Sequence, residues 1–423
     1  MARILFATVP IVGHVYPFLG VARALAARGH ELRWYTGERF RADVERTGAR
    51  HAPYVSARDF DDRHMELVFP ERARHTGLRQ LKYDLKHVFA DQAPAQLADI
   101  EALARDFHPD LVAADPLMLG SLLYKERSGT PLVLINVVAS PVRSRDTAPF
   151  GLGILPSLRW YGSLRNAVLN TIVDQLLFRD VQTHWVRVRR QVGLPTSRLL
   201  FEAALDATLL VQPSVPGFEY PRSDLPAHVQ LVGALIPELP SDMVTSAPWL
   251  QGSAHMPIVH VTQGTMSNAR PDLILPTLAG LADQPVLVVV ATGGRSADEL
   301  GLGRIPANAR VVPYVSYREL LPRTSVMVTN GGYGGVQLAL SYGVPLVVWG
   351  TTEDKPEVAA RVAWSGAGLR LSRLRAPRAG EVRAAVQRVL SEPSYRRRAR
   401  ALADEYARMD AVPIVVSLIE RLL

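Results

Sequence analysis

The sequence predicts an α/β protein in which two domains each contain a parallel sheet. Its 423 residues are too many for one ordinary core and favour two domains of roughly 200 residues each. Apolar strand patterns alternate with amphipathic helix patterns in the first half, and the alternation starts again after a proline-dense segment near Val215. Ligands of such sheets bind beyond the carboxyl ends of the strands, so we expect the two sheets to face a central cleft.

The first half is predicted to alternate strands with helices. Strand patterns cover residues 3–8, 31–36, 111–114 and 131–137. Helix patterns cover residues 17–28, 78–107 and 163–191, and Gly29 stands where glycine often ends a helix. Residues 140–158, rich in proline, glycine and serine, are predicted to form a long loop, and loops of this length are often functional.

The second half repeats the same alternation. Its predicted strands cover residues 258–262, 286–292, 310–315, 325–329 and 346–349. The predicted organisation is an N-terminal Rossmann-like domain over 1–215, an interdomain linker over 216–240, a C-terminal Rossmann-like domain over 241–405, and a final helix over 406–423 that returns to the first domain.

A glycine-rich loop, residues 330–335, lies between a strand pattern and a helix pattern. Glycine allows a positive φ and a close approach of the backbone to an anion, and the N-terminus of the following helix favours negative charge. The loop is not a P-loop, because the G-x-x-x-x-G-K-[ST] spacing is absent. The loop is predicted to bind a diphosphate through Asn330, Gly331, Gly332, Gly334 and Gly335.

His14 is a candidate general base, because it follows the first strand and an imidazole is mostly neutral near pH 7. Asp115 ends the strand LVAAD at the same edge of the predicted sheet, where its carboxylate could hold the imidazole and stabilise its charged form. The alternatives are that His14 only caps or packs, and that Asp115 is the N-cap of a helix over 117–123, a role that could coexist with holding the imidazole.

Three further groups are weaker candidates. Tyr314 could stack on a nucleobase or pack in a core. Asp59 and Asp61 form an Asp-x-Asp that could hold a divalent metal, but their irregular polar surroundings favour a solvated surface. A turn after one strand could contact phosphate, or be only a turn, through Gln263, Gly264 and Thr265.

Composition excludes several kinds of site. The chain has no cysteine, which excludes disulfides and thiolate sites and fits a reducing cytosol, so a cytoplasmic location is expected. The net charge of +8 comes mostly from scattered arginines without a nucleic-acid module, so no nucleic-acid partner is expected. No stretch approaches the ~18 apolar residues of a membrane span, so no stable membrane insertion is expected.

Six motifs, in order along essentially the whole chain, resemble the two-domain glycosyltransferases of the macrolide and UDP-glucosyl/glucuronosyl type, whose fold is called GT-B. The motifs are GHVYP, DLVAADPL, VTQGT, RVVPYVSYRELLP, TNGGYGGVQLALSYGVPLVV and EDKPEVAARV. The resemblance implies that His14 is the catalytic general base and that Asp115 is its partner. It also implies that Tyr314 stacks on the nucleobase of the donor, and that Asp354 and Lys355 hold the donor sugar.

Four residues depart from the usual pattern of this family. Asn330 replaces histidine, Gly335 replaces serine or threonine, Leu338 replaces a glutamate that binds ribose, and Lys355 replaces glutamine. Asn330 can still donate to phosphate but carries no charge, and Leu338 cannot accept from ribose hydroxyls. These departures imply an altered donor pocket.

The resemblance implies an inverting transferase that moves a hexose from a UDP- or dTDP-sugar to a hydroxyl of a lipophilic, natural-product-like molecule, without cofactor or metal. The apolar stretch PFGLGILP predicts an acceptor site near Phe150 and Leu152. The chain is expected to be a monomer or homodimer. Two alternatives stay open: a non-catalytic nucleotide-binding or auxiliary homologue, and a nucleotide-sugar epimerase of the same fold.

Overall fold

The computed structural model describes residues 1–157, 159–196, 199–236, 250, 256–264, 271–372 and 375–423. Its strands form two parallel sheets, of seven and six strands. Helices form most of the connections between successive strands, whereas the described segments 213–228 and 292–308 connect paired strands by loops. The predicted α/β class with two parallel sheets is confirmed.

The first sheet has the order β3-β2-β1-β4-β5-β6-β7. Its strands are β1 Arg3–Ala7, β2 Glu31–Tyr35, β3 Arg50–Ala52, β4 Leu111–Ala114, β5 Leu132–Ile135, β6 Leu209–Gln212 and β7 Val229–Leu231. Strand β7 pairs with β6 although it lies inside the predicted linker, 216–240. This part of the chain therefore extends the first sheet.

The second sheet has the order β10-β9-β8-β11-β12-β13. Its strands are β8 Ile258–Thr262, β9 Leu287–Ala291, β10 Ala309–Val312, β11 Thr324–Thr329, β12 Leu346–Val348 and β13 Gly368–Arg370. Both sheets are covered on two faces, which explains why their strands read as continuous apolar runs. In β1, Leu5 packs into one apolar layer, whereas Ile4 and Phe6 pack into the layer on the opposite face.

The helices lie on both faces of the sheets. They are α1 Val12–Ala27, α2 Arg41–Glu45, α3 Gly77–Tyr83, α4 Ala93–Phe107, α5 Leu119–Ser128, α6 Gly162–Ile172, α7 Arg179–Gln191, α8 Ile274–Leu281, α9 Tyr317–Leu320, α10 Tyr333–Ser341, α11 Lys355–Trp364, α12 Ala379–Ser391, α13 Pro393–Ala407 and α14 Ala411–Glu420. A π-helical segment, Asp84–Phe89, and a 3-10 turn, Ala90–Gln92, join α3 to α4.

Helix α1 begins at Val12, five residues before the predicted start at Pro17. The Asp62 carboxylate, far along the chain, accepts the Val12 N–H at 2.9 Å and satisfies one of the free donors of the first turn. Pro17 lies inside the helix. As a consequence His14 is part of the helix rather than of a loop.

The last helix, α14, packs against α1. Its apolar residues Val415, Val416 and Ile419 share a core cluster with that helix. At the end of α14, Glu420 contacts Arg28 at 2.5 Å and His30 at 3.3 Å. The C-terminus of the chain therefore lies on the first sheet's helical layer.

A buried ionic cluster connects the two halves, with Arg361 of α11 at its centre. Arg361 is 1% exposed; it donates to Glu219 at 3.0 Å, to Glu357 at 2.9 Å and to the Ser140 carbonyl at 3.2 Å. Burial alone would raise the pKa of the Glu219 carboxyl, but the charges of Arg361 and Arg222 outweigh it and lower that pKa. The cluster thus joins α11 to two segments of the first half.

We expect Arg361→Met to destabilise the protein by about 3–5 kcal/mol, because it leaves buried carboxylates without their main partner. The midpoint and slope of urea unfolding measure this loss. Arg388→Met is the matched control, because Arg388 and its partner Glu392 are 58% and 44% exposed. An equally small effect of both substitutions would contradict the importance of the buried cluster.

Candidate active site

The candidate residues follow the strands at which each sheet reverses its order. In the first sheet β1 lies beside β4, and His14 and Asp115 follow these two strands. In the second sheet β8 lies beside β11, and Gln263 and the glycine loop, residues 330–335, follow them. Such switch points are where open parallel sheets bind ligands, because the loops diverge there and leave a crevice.

His14 and Asp115 are in direct contact. The His14 Nδ1 atom lies 3.0 Å from Asp115 Oδ1, the His14 side chain is 12% exposed, and that of Asp115 is fully buried. An ionised carboxylate only accepts hydrogen bonds, so Nδ1 donates and Nε2 is left as the acceptor. The geometry suits a general base whose tautomer is held by a carboxylate.

Asp115 is itself held by the backbone. Its carboxylate accepts the N–H of Val9 at 2.7 Å and the N–H of Leu117 at 2.9 Å. Helix α5 begins at Leu119 rather than Leu117, and no side chain caps it, so the N-cap alternative for Asp115 is wrong. The bond to Leu117 instead closes a turn that fixes the carboxylate toward His14.

The glycine loop has one residue that requires glycine for its conformation. Gly331 has φ of 86°, whereas Gly332 is the N-cap of α10 with φ of −57°. Gly334 and Gly335 lie in the first turn of α10, where an added Cβ would meet nothing within 4 Å. These two glycines therefore leave open space at the helix N-terminus, which suits the approach of an anion.

Asn330 connects the glycine loop to the turn after β8. Its Nδ2 donates to the Gln263 carbonyl, and its Oδ1 accepts the Gly332 N–H at 3.4 Å. The Gln263 side chain is engaged elsewhere, because its Oε1 accepts the N–H groups of Leu273 and Ile274 near the start of α8. Gly264 has φ of 71°, with the Asn330 amide 3.6 Å from its Cβ position. Thr265 lies outside the described residues.

Tyr314 lies two residues beyond the end of β10; it is half-buried, and its hydroxyl donates to the Gly293 carbonyl at 3.1 Å. A Cβ on Gly294 would come within 2.6 Å of the same hydroxyl oxygen, so the phenol packs closely on this glycine. The hydrogen bond fixes the ring in one orientation. A stacking role for Tyr314 stays a prediction.

Asp354 and Lys355 form the start of α11. Burial raises the pKa of the Asp354 carboxyl to about 6, although the charge of Lys355 opposes the shift. The Ala139 N–H, from the first half, points to Asp354 at 3.4 Å. The Lys355 ammonium pairs with Glu353, so part of its charge is compensated within the loop.

The loop that contains Phe150 and Leu152 is held to α11 by hydrogen bonds. Glu357, which the sequence did not single out, accepts the N–H groups of Gly151 and Gly153 at 3.0 and 2.7 Å. Phe150 packs against an apolar cluster of the second half and Leu152 against one of the first half. Both side chains stay partly exposed, and their acceptor role stays a prediction.

Tyr333 is a second residue that the sequence did not single out. Its hydroxyl donates to the Pro213 carbonyl at 2.6 Å and accepts from Gln212 at 2.9 Å. Tyr333 is the first residue of α10, so it fixes the donor-loop helix to the end of β6. The sequence signal that could have identified Tyr333 was its position within the glycine loop, residues 330–335.

Known proteins resemble this chain over its whole length. It is 45% identical over 424 residues to 4'-demethylrebeccamycin synthase of Lentzea aerocolonigenes, with 100% of both chains covered. It is 34% identical to UDP-glycosyltransferase 2 of Phaeomoniella chlamydospora, with 99% of this chain and 95% of that protein covered. This chain belongs to the glycosyltransferases.

The fold of the glycosyltransferase is GT-B, as expected. Its residues 276–422 match the model of the erythromycin biosynthesis protein CIII-like C-terminal domain. The solved structure of the glycosyltransferase of kitacinnamycin superposes with a TM-score of 0.78 over 100% of this chain and 99% of that one, at 22% identity. Within the residues that the structure describes, the helices are too short or too polar to cross a membrane.

We expect His14 of the glycosyltransferase to carry its proton on Nδ1 near pH 8, because the Asp115 carboxylate accepts from that atom. Nitrogen NMR of ¹⁵N-histidine-labelled protein reads the tautomer directly. Asp115→Ala should shift the population toward the Nε2–H form, while His64, exposed beside Glu66, should not respond. An Nε2–H tautomer in the unaltered protein would contradict the assigned geometry.

Proposed function

We propose that this glycosyltransferase inverts the sugar centre with His14 as the general base. The acceptor hydroxyl gives its proton to His14 Nε2 as its oxygen bonds to C1 of the sugar. The bond from C1 to the diphosphate oxygen breaks on the opposite face, and the nucleoside diphosphate leaves. Asp115 stabilises the imidazolium that forms.

One observation carries this proposal: a base held by a buried carboxylate stands at the switch point of one sheet, and an open glycine loop stands at the switch point of the other. The first N–H groups of α10 have no partner inside the helix. They favour the negative charge that develops on the leaving diphosphate, so we propose that its departure needs no metal.

The donor we propose is a UDP- or dTDP-hexose. The name of the Phaeomoniella relative supports UDP. Asn330 can donate to a phosphate oxygen, and the Asp354 carboxylate can accept from sugar hydroxyls. A thermal-shift panel of UDP, dTDP and GDP with their sugars distinguishes the nucleotides, because only a ligand that binds the folded state raises the melting temperature.

The acceptor we propose is a lipophilic, natural-product-like molecule that offers a hydroxyl. Phe150 and Leu152 support this proposal, because both are partly exposed and lie on a loop that packs against both halves of the chain. The preserved contact between His14 and Asp115 argues against a non-catalytic homologue. Release of nucleoside diphosphate that depends on the acceptor would separate transfer from epimerisation.

We expect His14→Ala to lower turnover by about 10²- to 10⁴-fold, the usual contribution of a general base. Donor binding should survive, because the donor contacts lie in the second half of the chain. Release of nucleoside diphosphate and the thermal shift with donor measure the two effects. His64→Ala is the control, and unchanged turnover in His14→Ala would refute the assigned base.

We expect donor affinity to fall as pH drops through about 6, because Asp354 then becomes protonated and accepts hydrogen bonds less well. The ionised fraction decreases from about nine tenths at pH 7 to about one tenth at pH 5. The diphosphate diester of a nucleotide sugar does not titrate in this range. Calorimetry from pH 5 to 8 should show a loss of about tenfold.

Asp354→Asn is the matched variant for this titration. It should bind the donor more weakly at pH 8 and show little dependence on pH. A pH dependence equal to that of the unaltered enzyme would mean that another group titrates.

A further inference from the structure

Two histidines and one aspartate converge on the surface of the first half, and none of them is among the residues assigned to transfer. His87 Nδ1 lies 2.8 Å from one carboxylate oxygen of Asp91, and His184 Nε2 lies 2.6 Å from the other. One ligand atom of each residue lies within 4.8 Å of the other two. The His184 side chain is 20% exposed, and the other two are about twice as exposed.

The backbone of two helical segments sets this convergence. His87 belongs to the π-helical segment and Asp91 to the 3-10 turn that follows it, so they lie one turn apart on the same face. His184 comes from α7, which packs against both segments. The Tyr83 ring lies 4.8 Å from that of His87, and the two imidazoles lie 5.4 Å apart. Packing therefore holds the rings near their present positions.

The donor set suits a transition metal of the zinc class. Two imidazole nitrogens and a carboxylate are typical zinc ligands, whereas calcium and magnesium prefer oxygen alone. With bonds of about 2.1 Å, ligands of a tetrahedral zinc lie about 3.4 Å apart. The two hydrogen-bonded pairs would need to separate by less than about 1 Å to admit the ion.

The lysines nearest to the cluster are paired with a carboxylate. The nearby Lys82 and Lys86 both pair with Asp180, at 2.9 and 3.1 Å. Part of their positive charge is therefore compensated next to the cluster.

A cavity of about 430 Å³ adjoins the cluster. His87 and Asp91 line it together with Phe69, Tyr83 and Arg58, among others. An ion bound by three protein ligands keeps at least one coordination position for water or another donor. Since two of the three ligands line the cavity, that position would open toward it.

We propose that His87, Asp91 and His184 bind one divalent ion of the zinc class, with an open coordination position toward the adjoining cavity. The proposed site shares no residue with the His14–Asp115 pair or with the glycine loop and does not rest on the proposed transfer reaction. The same three residues would otherwise form a hydrogen-bonded cluster that only joins α7 to the segment before α4.

The test is direct binding of Zn²⁺ and Co²⁺ to the tag-free full chain. Calorimetry with Zn²⁺ should give about one ion per chain, and Co²⁺ should produce the visible absorption bands of a low-coordinate site. His184→Ala and His87→Ala should each weaken Zn²⁺ binding at least about tenfold. Asp91→Asn, which keeps the shape but removes the charge, should also weaken it.

His64→Ala is the matched control, because His64 is an exposed histidine 3.6 Å from a carboxylate of Glu66 and, among the residues that the structure describes, belongs to no such group. It should leave Zn²⁺ affinity unchanged. Thermal unfolding without metal checks that every variant folds. No Zn²⁺ binding by the unaltered chain, or binding that survives both His87→Ala and His184→Ala, would overturn the proposal.

Discussion

The buried guanidinium of Arg361 is the interaction on which the arrangement of the two halves depends. It contacts Glu219 and the Ser140 carbonyl from the first half, and Glu357 on its own helix. Glu357 in turn accepts two backbone N–H groups of the loop around Gly151. A guanidinium without these partners would be costly to bury. The packing of α11 against the first half therefore depends on the ion pairs of Arg361.

This constraint places the candidate donor and acceptor elements beside each other. Helix α11, which contains Arg361, begins at Lys355, directly after Asp354. Tyr333 makes a second connection, from the glycine-loop helix to the end of β6. Side chains that hold the halves together are therefore interleaved with those assigned to the donor. A substitution among these side chains would therefore affect both the stability of the fold and the binding of the donor. The two effects are distinguished by measuring unfolding and donor affinity separately.

Much of the fold could be predicted because parallel strands and their helices leave a strong apolar pattern. The strand at 111–114 is observed as predicted, and the pairing of His14 with Asp115 followed from their position at neighbouring strand ends. The start of α1 was missed because Asp62, about fifty residues away, caps it. Strand β7 was missed because its three residues lie in a proline-rich stretch and only pairing with β6 defines it.

The sequence by itself determined the α/β class, the two repeated arrays and the residues that follow their strands, because these depend on local periodicity and strand order. Tertiary structure decided what those residues contact. In the folded chain Asn330 donates a hydrogen bond to the Gln263 carbonyl, and the Gln263 side chain accepts one at the start of α8. Glu357 accepts backbone hydrogen bonds from a distant loop. Such contacts join residues far apart in the chain, and no local pattern encodes them.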